Sequence, residues 1–541
     1  MRKEGKQLIR DKQAIEEALG RGLVMGETIT RNSRKFPDKE ALVYGKTRLT
    51  YKQFNARINR LAHALVDIGV KKGSKVAILS YNCNQFLEVY YALAKIGGVA
   101  VPLNFRLHPE ELVYMTSHAD AEAFILGEAF VQMVKGIQKD LPQVKKYISI
   151  SDKPVKGMLH YENWIAKYPD DEPLVLVDEH DPLFIMYTAG TTGRPKGAVI
   201  THQNELVMWM LGGMFVFTEK NIFDKYSVLD FKSFAAPPIF HLAAFGFCQF
   251  NFFAGTTVVL PEEVFDPVSI MKTIQDERIN AIVLIPAMAN FLLLLPDLHK
   301  YDTSSLQIWL SGGAILPTET RRQIRKHFPS AKILDLFGQT EMSPVVSVLL
   351  ASESEGRETS VGRALPFIEI RIVDDNDNEV PVGAVGEAAY RGPTVMKEYY
   401  KDPKATAEAI RGGWFHSGDL VKRDKEGYIY VVDRKKDMII SGGENIYPAE
   451  IEEVLYSHPK ILECAVIGVH DEKWGESVKA VVVCRQGEKL TEEEVIDFCK
   501  QHLASYKKPK SVDFVDVLPR SALGKVLKRA LREQYGKSVR Y

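Results

Sequence analysis

Over the first three quarters of the chain, short apolar runs alternate with longer stretches whose apolar residues recur every three or four positions. Lys75-Val76-Ala77-Ile78-Leu79 reads as a strand, Asn84 to Lys95 carries helical periodicity, and Gly98-Val99-Ala100-Val101 reads as a strand again. That succession is a crossover unit and implies a parallel sheet. The alternation returns in Ala281 to Ile285 followed by a helix, in Leu306 to Leu310 followed by a helix around Thr320 to His327, and in Lys332 to Leu336. A layered α/β architecture follows. From Ile368 to Arg391 the period drops to two, and Asp374 to Asn378 supply the turn of a β-hairpin, so a β-rich subdomain is predicted there. After a strand at Tyr428 to Val432, the run DRKKD (Asp433 to Asp437) interrupts the apolar pattern with charges, as a solvated turn or a domain hinge would. Beyond it come a helix near Ala449 to Ser457 and strands at Ala465 to Val469 and Val478 to Cys484. A further helix is opened by the capping pattern Thr491-x-x-Glu494. These predict a compact α+β unit of about a hundred residues, enough for a small domain.

Composition narrows the class. A chain of 541 residues has room for two to four domains. Lysine plus arginine equal aspartate plus glutamate at 70 each, so no net field argues for nucleic acid or an acidic membrane surface. The five cysteines, Cys83, Cys248, Cys464, Cys484 and Cys499, lie far apart, which fits a reducing compartment and argues against a cysteine-bound metal. The opening MRKEGKQLIRDKQ lacks the apolar core of a signal peptide, and a cytoplasmic enzyme is expected. The most apolar long segment, Pro237 to Leu260, is broken by His241, Gln249 and Asn251 and by Gly246 and Gly255. Those polar groups would need partners in lipid, so it reads as buried helix and strand lining a pocket and not as a transmembrane segment.

The candidate chemistry starts at YTAGTTGRPKGAV, Tyr187 to Val199, where glycines, threonines and Lys196 are packed into one loop. Glycines let backbone N–H groups converge on an anion, hydroxyls add donors, and the lysine adds charge. A Walker loop would place its lysine directly after the last glycine and continue as a helix. Here Gly193 is followed by Arg194-Pro195-Lys196-Gly197 and then by β-branched residues, which makes a strand, a loop and a strand. A glycine- and threonine-rich hairpin with no ligand is the alternative. Near the end, PRSALGKVLKRAL sets Gly524-Lys525 before a basic helix, which alone is a turn with a solvated lysine.

Taken with PIFH (238 to 241), SGGA (311 to 314), DLFGQTE (335 to 341), FHSGDL (415 to 420) and VDRKKDMIISGGENIYPAEIE (432 to 452), these stretches occur in a familiar order. Over nearly its full length the chain resembles the acyl-CoA synthetases of the acyl-adenylate-forming family. The resemblance implies an α/β fold: a large N-terminal domain, 1–433, of two αβ layers plus a β-subdomain at about 350–433, and a small mobile α+β C-terminal lid, 434–541. It implies a small-molecule carboxylic acid, ATP and coenzyme A as reactants, Mg²⁺ as cofactor, and allows a homodimer. A carboxylate would attack the α-phosphate of ATP, and the thiol of CoA would then displace AMP.

The resemblance also carries site residues. Thr188, Gly190, Thr191, Thr192, Gly193 and Lys196 would grip the β- and γ-phosphates, Glu341 with Thr188 would hold Mg²⁺, and Thr340 would contact the α-phosphate. Asp419 and Arg434 would take the ribose. Asp335, Phe337 and Gly338 would flank the nucleotide, the ring stacking near adenine, with Gly312, Gly313 and Ala314 allowing close approach. Lys525 would bridge the carboxylate and the α-phosphate, and His241 would border the acyl pocket and the thiol tunnel. Ser441, Gly442 and Gly443 would line the pantetheine path, Trp474 with Lys507 or Lys508 would meet the CoA nucleotide, and Lys436 would be the hinge. Phe337-Gly338 replaces the family's frequent Tyr-Gly, which keeps the ring and loses a hydroxyl. Phe240 to Phe253, Ala287 to Leu295 and Met342 to Val348 would line the acid's pocket, and they lack charge apart from His241. That favours an uncharged tail: a medium- or long-chain fatty acid first, an aryl or cyclic acid second. An enzyme loading a carrier protein is the further alternative, against which the tunnel-like SGGENIYP favours CoA.

Overall fold

The computed structural model describes residues 13–15, 17–18, 22–188, 194–216, 218–219, 225–262, 265–520 and 525–535. Among these, two large sheets carry the N-terminal domain. The strand Lys75–Leu79 pairs in parallel with Val99–Pro102 and Ala121–Gly127 at the centre of an eight-stranded sheet. A nine-stranded sheet sets Ala281–Leu284, Ile308–Gly312 and Lys332–Phe337 side by side in parallel. Between the sheets, the helix Asn84–Ile96 is buried on nearly every side and meets the helix Leu242–Ala254, Tyr90 stacking on Phe245 with ring centroids 3.6 Å apart. One apolar core therefore joins both layers. A five-stranded antiparallel sheet built from Glu369–Val373, Gly386–Arg391 and Trp414–Arg423 forms the β-subdomain.

Three local expectations shift for identifiable reasons. The strand predicted at Leu306 to Leu310 lies at Ile308–Gly312, because the Leu306 N–H is taken by the carbonyl of Thr303 in a turn. Asp374 to Asn378 do form a tight turn, with Asp374 Oδ1 accepting from the N–H groups of Asn376 and Asn378. The antiparallel bridge Val373–Glu379 closes a short hairpin across it, and the longer pairing joins Glu369–Val373 to Gly386–Arg391 across a longer connection. The strand predicted to stop at Val432 runs from Ile429 to Arg434, because Arg434 pairs in register with Asp419 on Trp414–Arg423. The first two charges of DRKKD are thus sheet.

The small C-terminal domain has its own five-stranded sheet and its own core, centred on Ile439, Ile451, Val466, Val482 and Cys499. The helix Glu492–His502 opens as predicted: Thr491 Oγ1 accepts from the Glu494 N–H at 3.2 Å, and Glu494 Oε2 accepts from the Thr491 N–H at 2.7 Å. Carboxylates that accept from backbone N–H groups are among the contacts that hold this domain against the large one. Asp433 Oδ2 accepts from the Ala449 N–H at 2.9 Å, and Glu453 Oε1 accepts from the Thr318 N–H at 3.2 Å, the first turn of the helix Thr318–His327.

Candidate active site

A cavity of about 1000 Å³ opens where the two large sheets, the β-subdomain and the C-terminal domain meet. Its polar end is built from strand ends. Thr188, at the close of the strand Pro182–Thr188, donates from Oγ1 to Glu341 Oε1 at 3.0 Å. The Tyr399 hydroxyl donates to the same oxygen at 2.9 Å, so two hydroxyls hold the carboxylate, while the backbone carbonyl of Glu341 accepts from the Met396 N–H at 2.8 Å and fixes the main chain beneath it. Lys196, at the start of the returning strand, lines the cavity with its ammonium 5.1 Å from the centre of the Tyr399 ring. Gly312, Gly313, Phe337, Gly338 and Thr340 line it from the C-terminal ends of neighbouring parallel strands and the turn that follows, where open α/β sheets bind ligands.

On the opposite side, Arg434 donates from Nε to Asp419 Oδ1 at 2.7 Å and from Nη1 to the Ser417 carbonyl at 3.2 Å. Arg434 faces the cavity; Asp419 lies buried behind it, its carboxyl raised above the usual range by burial and held down in part by Arg434 and Lys525. Lys525 enters from the C-terminal domain, its Cε 4.0 Å from where a Cβ on Gly313 would stand. Lys525 retains contact with solvent in the cavity, yet protein walls surround it. Its pKa is lowered, first by burial and then by Arg434 and Lys436, while Asp419 and Glu341 pull the other way. His241 caps the helix Leu242–Ala254: Nδ1 accepts from the Ala243 N–H at 3.2 Å. Burial and then Lys525 push its pKa down to about 3, so the ring is neutral at neutral pH and carries its proton on Nε2.

An oxygen- and cation-lined pocket at strand ends, with a lysine delivered from a second domain, narrows the class, and comparison with known proteins decides it. The model of the AMP-binding enzyme family matches residues 29–400, and that of the AMP-binding enzyme C-terminal domain matches 450–525. The chain belongs to the AMP-binding enzyme family. It is 37% identical over 514 residues to a feruloyl-CoA synthase of an Amycolatopsis species, covering 95% of this chain and 99% of that one. It is 34% identical over 521 residues to the long-chain-fatty-acid–CoA ligase FadD13 of Mycobacterium tuberculosis, again covering 95% and 99%. In structure it resembles the anthranilate CoA ligase AuaEII in complex with anthranoyl-AMP, with a TM-score of 0.88 at 25% identity over 96% of this chain and 99% of that one.

In this AMP-binding enzyme the fold gathers most of the expected residues at one place: Thr188, Lys196, His241, Gly312, Gly313, Phe337, Gly338, Thr340, Glu341, Arg434, Lys436 and Lys525 all line the cavity. Gly190, Thr191, Thr192 and Gly193 lie outside the described residues. Others stand apart. Asp335 is buried, its carboxylate taken by Arg321 at 2.6 Å, and Ala314 points to solvent; neither is among the lining residues. Ser441, Gly442 and Gly443 are also outside the cavity. Gly442, at φ 59°, donates its N–H to the Trp474 carbonyl at 2.8 Å, and the indole covers it so closely that a Cβ there would fall 2.6 Å from the ring. Trp474 sits between the ammonium groups of Lys473 and Lys510, 4.9 and 5.2 Å from its ring. Lys507 is occupied by Glu450, and Lys508 reaches the Ser505 carbonyl at 3.4 Å.

The apolar end of the cavity draws on Phe247, Phe250, Met288, Phe291, Val345 and Val348, from the three expected segments. It also takes Met208 and Trp209 from the helix His202–Val216, together with Phe265 and Glu262, which lie outside those segments. Glu262 is exposed, at the surface end. That helix is apolar on all sides, so no stripe marked the cavity-facing side, and Tyr399 stands on a two-residue strand with no motif around it.

Proposed function

We propose that this protein is an acid–thiol ligase that converts a carboxylic acid bearing an uncharged, apolar acyl group into its CoA thioester through an acyl-AMP. The observation that carries the reading is the joint placement of Lys525, Glu341, Thr340 and Arg434 around one polar chamber that continues into an apolar one. In the first step a carboxylate oxygen bonds to the α-phosphorus while the bond to the bridging oxygen breaks, and pyrophosphate leaves with the electron pair. Lys525 and Lys196 supply positive charge where negative charge grows, and Thr340 donates to the α-phosphoryl oxygens. Arg434, braced by Asp419 behind it, would orient the ribose, and Phe337 would lie along the base. His241, neutral and lining the chamber, would act as a hydrogen-bond donor to the substrate through Nε2–H and not as a base. In the second step the CoA sulfur attacks the acyl carbon, the bond to AMP breaks, and the thiol proton goes to solvent.

Glu341 and Thr188 are hard oxygen donors on separate elements, and among the described residues no cluster of three or more histidine, cysteine or carboxylate side chains could hold a metal alone. That donor set fits Mg²⁺, which takes one or two protein oxygens and completes its shell with phosphates and water. When bound there it would neutralise phosphate charge.

The acid is proposed to be a medium- or long-chain fatty acid. An aryl acid is the second reading, favoured by the aromatic walls Trp209, Phe247, Phe250 and Phe291. Mass-spectrometric detection of thioester from ATP, CoA and a panel of fatty, cyclic, aromatic and dicarboxylic acids tests both. Thioester from dicarboxylates alone, or from none of the panel, would overturn the reading. The boundary between the two domains is proposed at 433/434. Lys435 is anchored to the large domain by Glu387 at 3.2 Å, by Asp375 at 2.7 Å and by its N–H to the Gly418 carbonyl at 2.9 Å. Rotation is thereby left to Lys436 and the residues after it.

A further inference from the structure

At the apolar end of the cavity, Trp209 is held more rigidly than a wall residue requires. It is 7% exposed, and its ring lines the chamber. The indole Nε1 donates to Glu205 Oε2 at 3.0 Å, one turn earlier on the same helix, and to Gln249 Oε1 at 3.3 Å on the facing helix Leu242–Ala254. Both acceptors are buried, Glu205 at 0% and Gln249 at 1%. The benzene part of the ring, beside that N–H, lies on Gly246, where a Cβ would fall 2.3 Å from Cζ2 and 2.7 Å from Cη2. Only glycine admits the ring at that depth between the two helices.

Glu205 is the unusual member. A carboxyl in an apolar helix interface is costly, and Glu205 Oε1 has no hydrogen-bond partner. Burial raises its pKa well above that of an ordinary carboxyl, which disfavours the charged form. Nothing in the reaction described above uses it. What it does is to fix, with Gln249, the polar edge of an indole whose benzene edge is fixed by Gly246. A buried indole N–H without an acceptor would be destabilising, so the ring keeps this orientation.

We propose that Trp209 is the specificity-determining wall of the acyl compartment, and that Glu205, Gln249 and Gly246 are positioning residues that set where the wall stands. The proposal rests on the reading of the cavity as an acyl-CoA ligase site. It predicts opposite shifts from two substitutions: Trp209→Ala removes the wall, whereas Gly246→Ala pushes the ring into the compartment.

The test is pyrophosphate release by the full chain over straight-chain acids of rising length and over one- and two-ring aryl acids. Trp209→Ala is expected to move the preferred acid to a longer or bulkier one, changing the kcat/KM ratio between long and short acids by about tenfold or more, as one or two methylenes are worth in an apolar pocket. Gly246→Ala is expected to move the ratio the other way. Glu205→Leu should raise KM for the acid while KM for ATP holds, and Glu205→Gln, which keeps an oxygen acceptor, should restore the acid KM. Should Trp209→Ala not fold, Trp209→Phe keeps a ring but loses both anchors and is expected to blur the length cut-off. Profiles of the folded variants that superimpose on the wild type would overturn the assignment of Trp209 while leaving the ligase reading intact. A wild-type chain that releases pyrophosphate with no acid would overturn both.

Discussion

Lys525→Ala removes the cation that the C-terminal domain delivers to the cavity. Its Cε stands 4.0 Å from the Cβ position of Gly313, so the ammonium projects into the polar chamber between Gly313 on one side and Asp419 and Glu341 on the other. A unit charge about 4 Å from a developing charge, at an effective dielectric of about 20, contributes about 4 kcal/mol. Loss of a single preorganised donor costs about 3–4 kcal/mol in mutational series. Adenylation should therefore slow by roughly two to three decades. Once pyrophosphate has left, that charge has no role, and thioester formation from supplied acyl-AMP should change little. Acid-dependent exchange of pyrophosphate into ATP measures the first half-reaction, and thioester yield from acyl-AMP and CoA measures the second. The lowered pKa adds a signature with a definite sign. The active form is protonated, so kcat/KM of the wild type should fall as pH rises through a value below that of an ordinary lysine, and this limb should vanish in the variant. Equal losses in both half-reactions would refute the assignment of Lys525 to adenylation.

Glu341→Gln keeps the volume and one oxygen able to accept from the Thr188 and Tyr399 hydroxyls but removes the charge, so the Mg²⁺ concentration needed for half-maximal rate should rise several-fold in a folded protein; an unchanged Mg²⁺ titration would count against the metal role. Lys436→Pro fixes φ and removes a backbone donor just after the anchored Lys435, so acyl-AMP formation should persist while CoA thioester formation is largely lost, and undiminished turnover to thioester would remove the hinge from this position. Because His241 has a pKa near 3, it is neutral at all pH values above that, and adenylation should show no acid limb near pH 6.5 that disappears in His241→Asn; such a limb would mean that the imidazole titrates in the working range.

Much of this molecule was legible where local physics decides. The crossover Lys75–Leu79, Asn84–Ile96, Val99–Pro102 and the capping box at Thr491 follow from periodicity and side-chain chemistry within a few residues. The residues gathered at the polar chamber were found through the ordered motifs, since the strand ends and turns that carry the motifs also line the cavity. What stayed hidden depends on contacts between distant elements. Asp335 shares a strand with Phe337, but its partner Arg321 comes from a neighbouring helix, so the carboxylate is spent on an ion pair inside the protein. Tyr399 reaches Glu341 from 58 residues away in sequence. Trp209 belongs to a helix that is apolar all round, where periodicity cannot say which face lines a cavity. Gly442 lies against Trp474, outside the chamber that Lys525 lines, because the indole that covers it is 32 residues further along the chain.

The central claim is that one site makes an acyl-AMP and then passes the acyl group to CoA. Its most direct test is a single-turnover quench with α-labelled ATP, Mg²⁺ and a cognate acid, first without CoA and then with CoA added. Labelled acyl-AMP should accumulate on the enzyme with stoichiometric pyrophosphate, and CoA should convert it to free AMP and an equal amount of thioester. Release of labelled ADP, or AMP formed without the acid or without thioester on adding CoA, would contradict it.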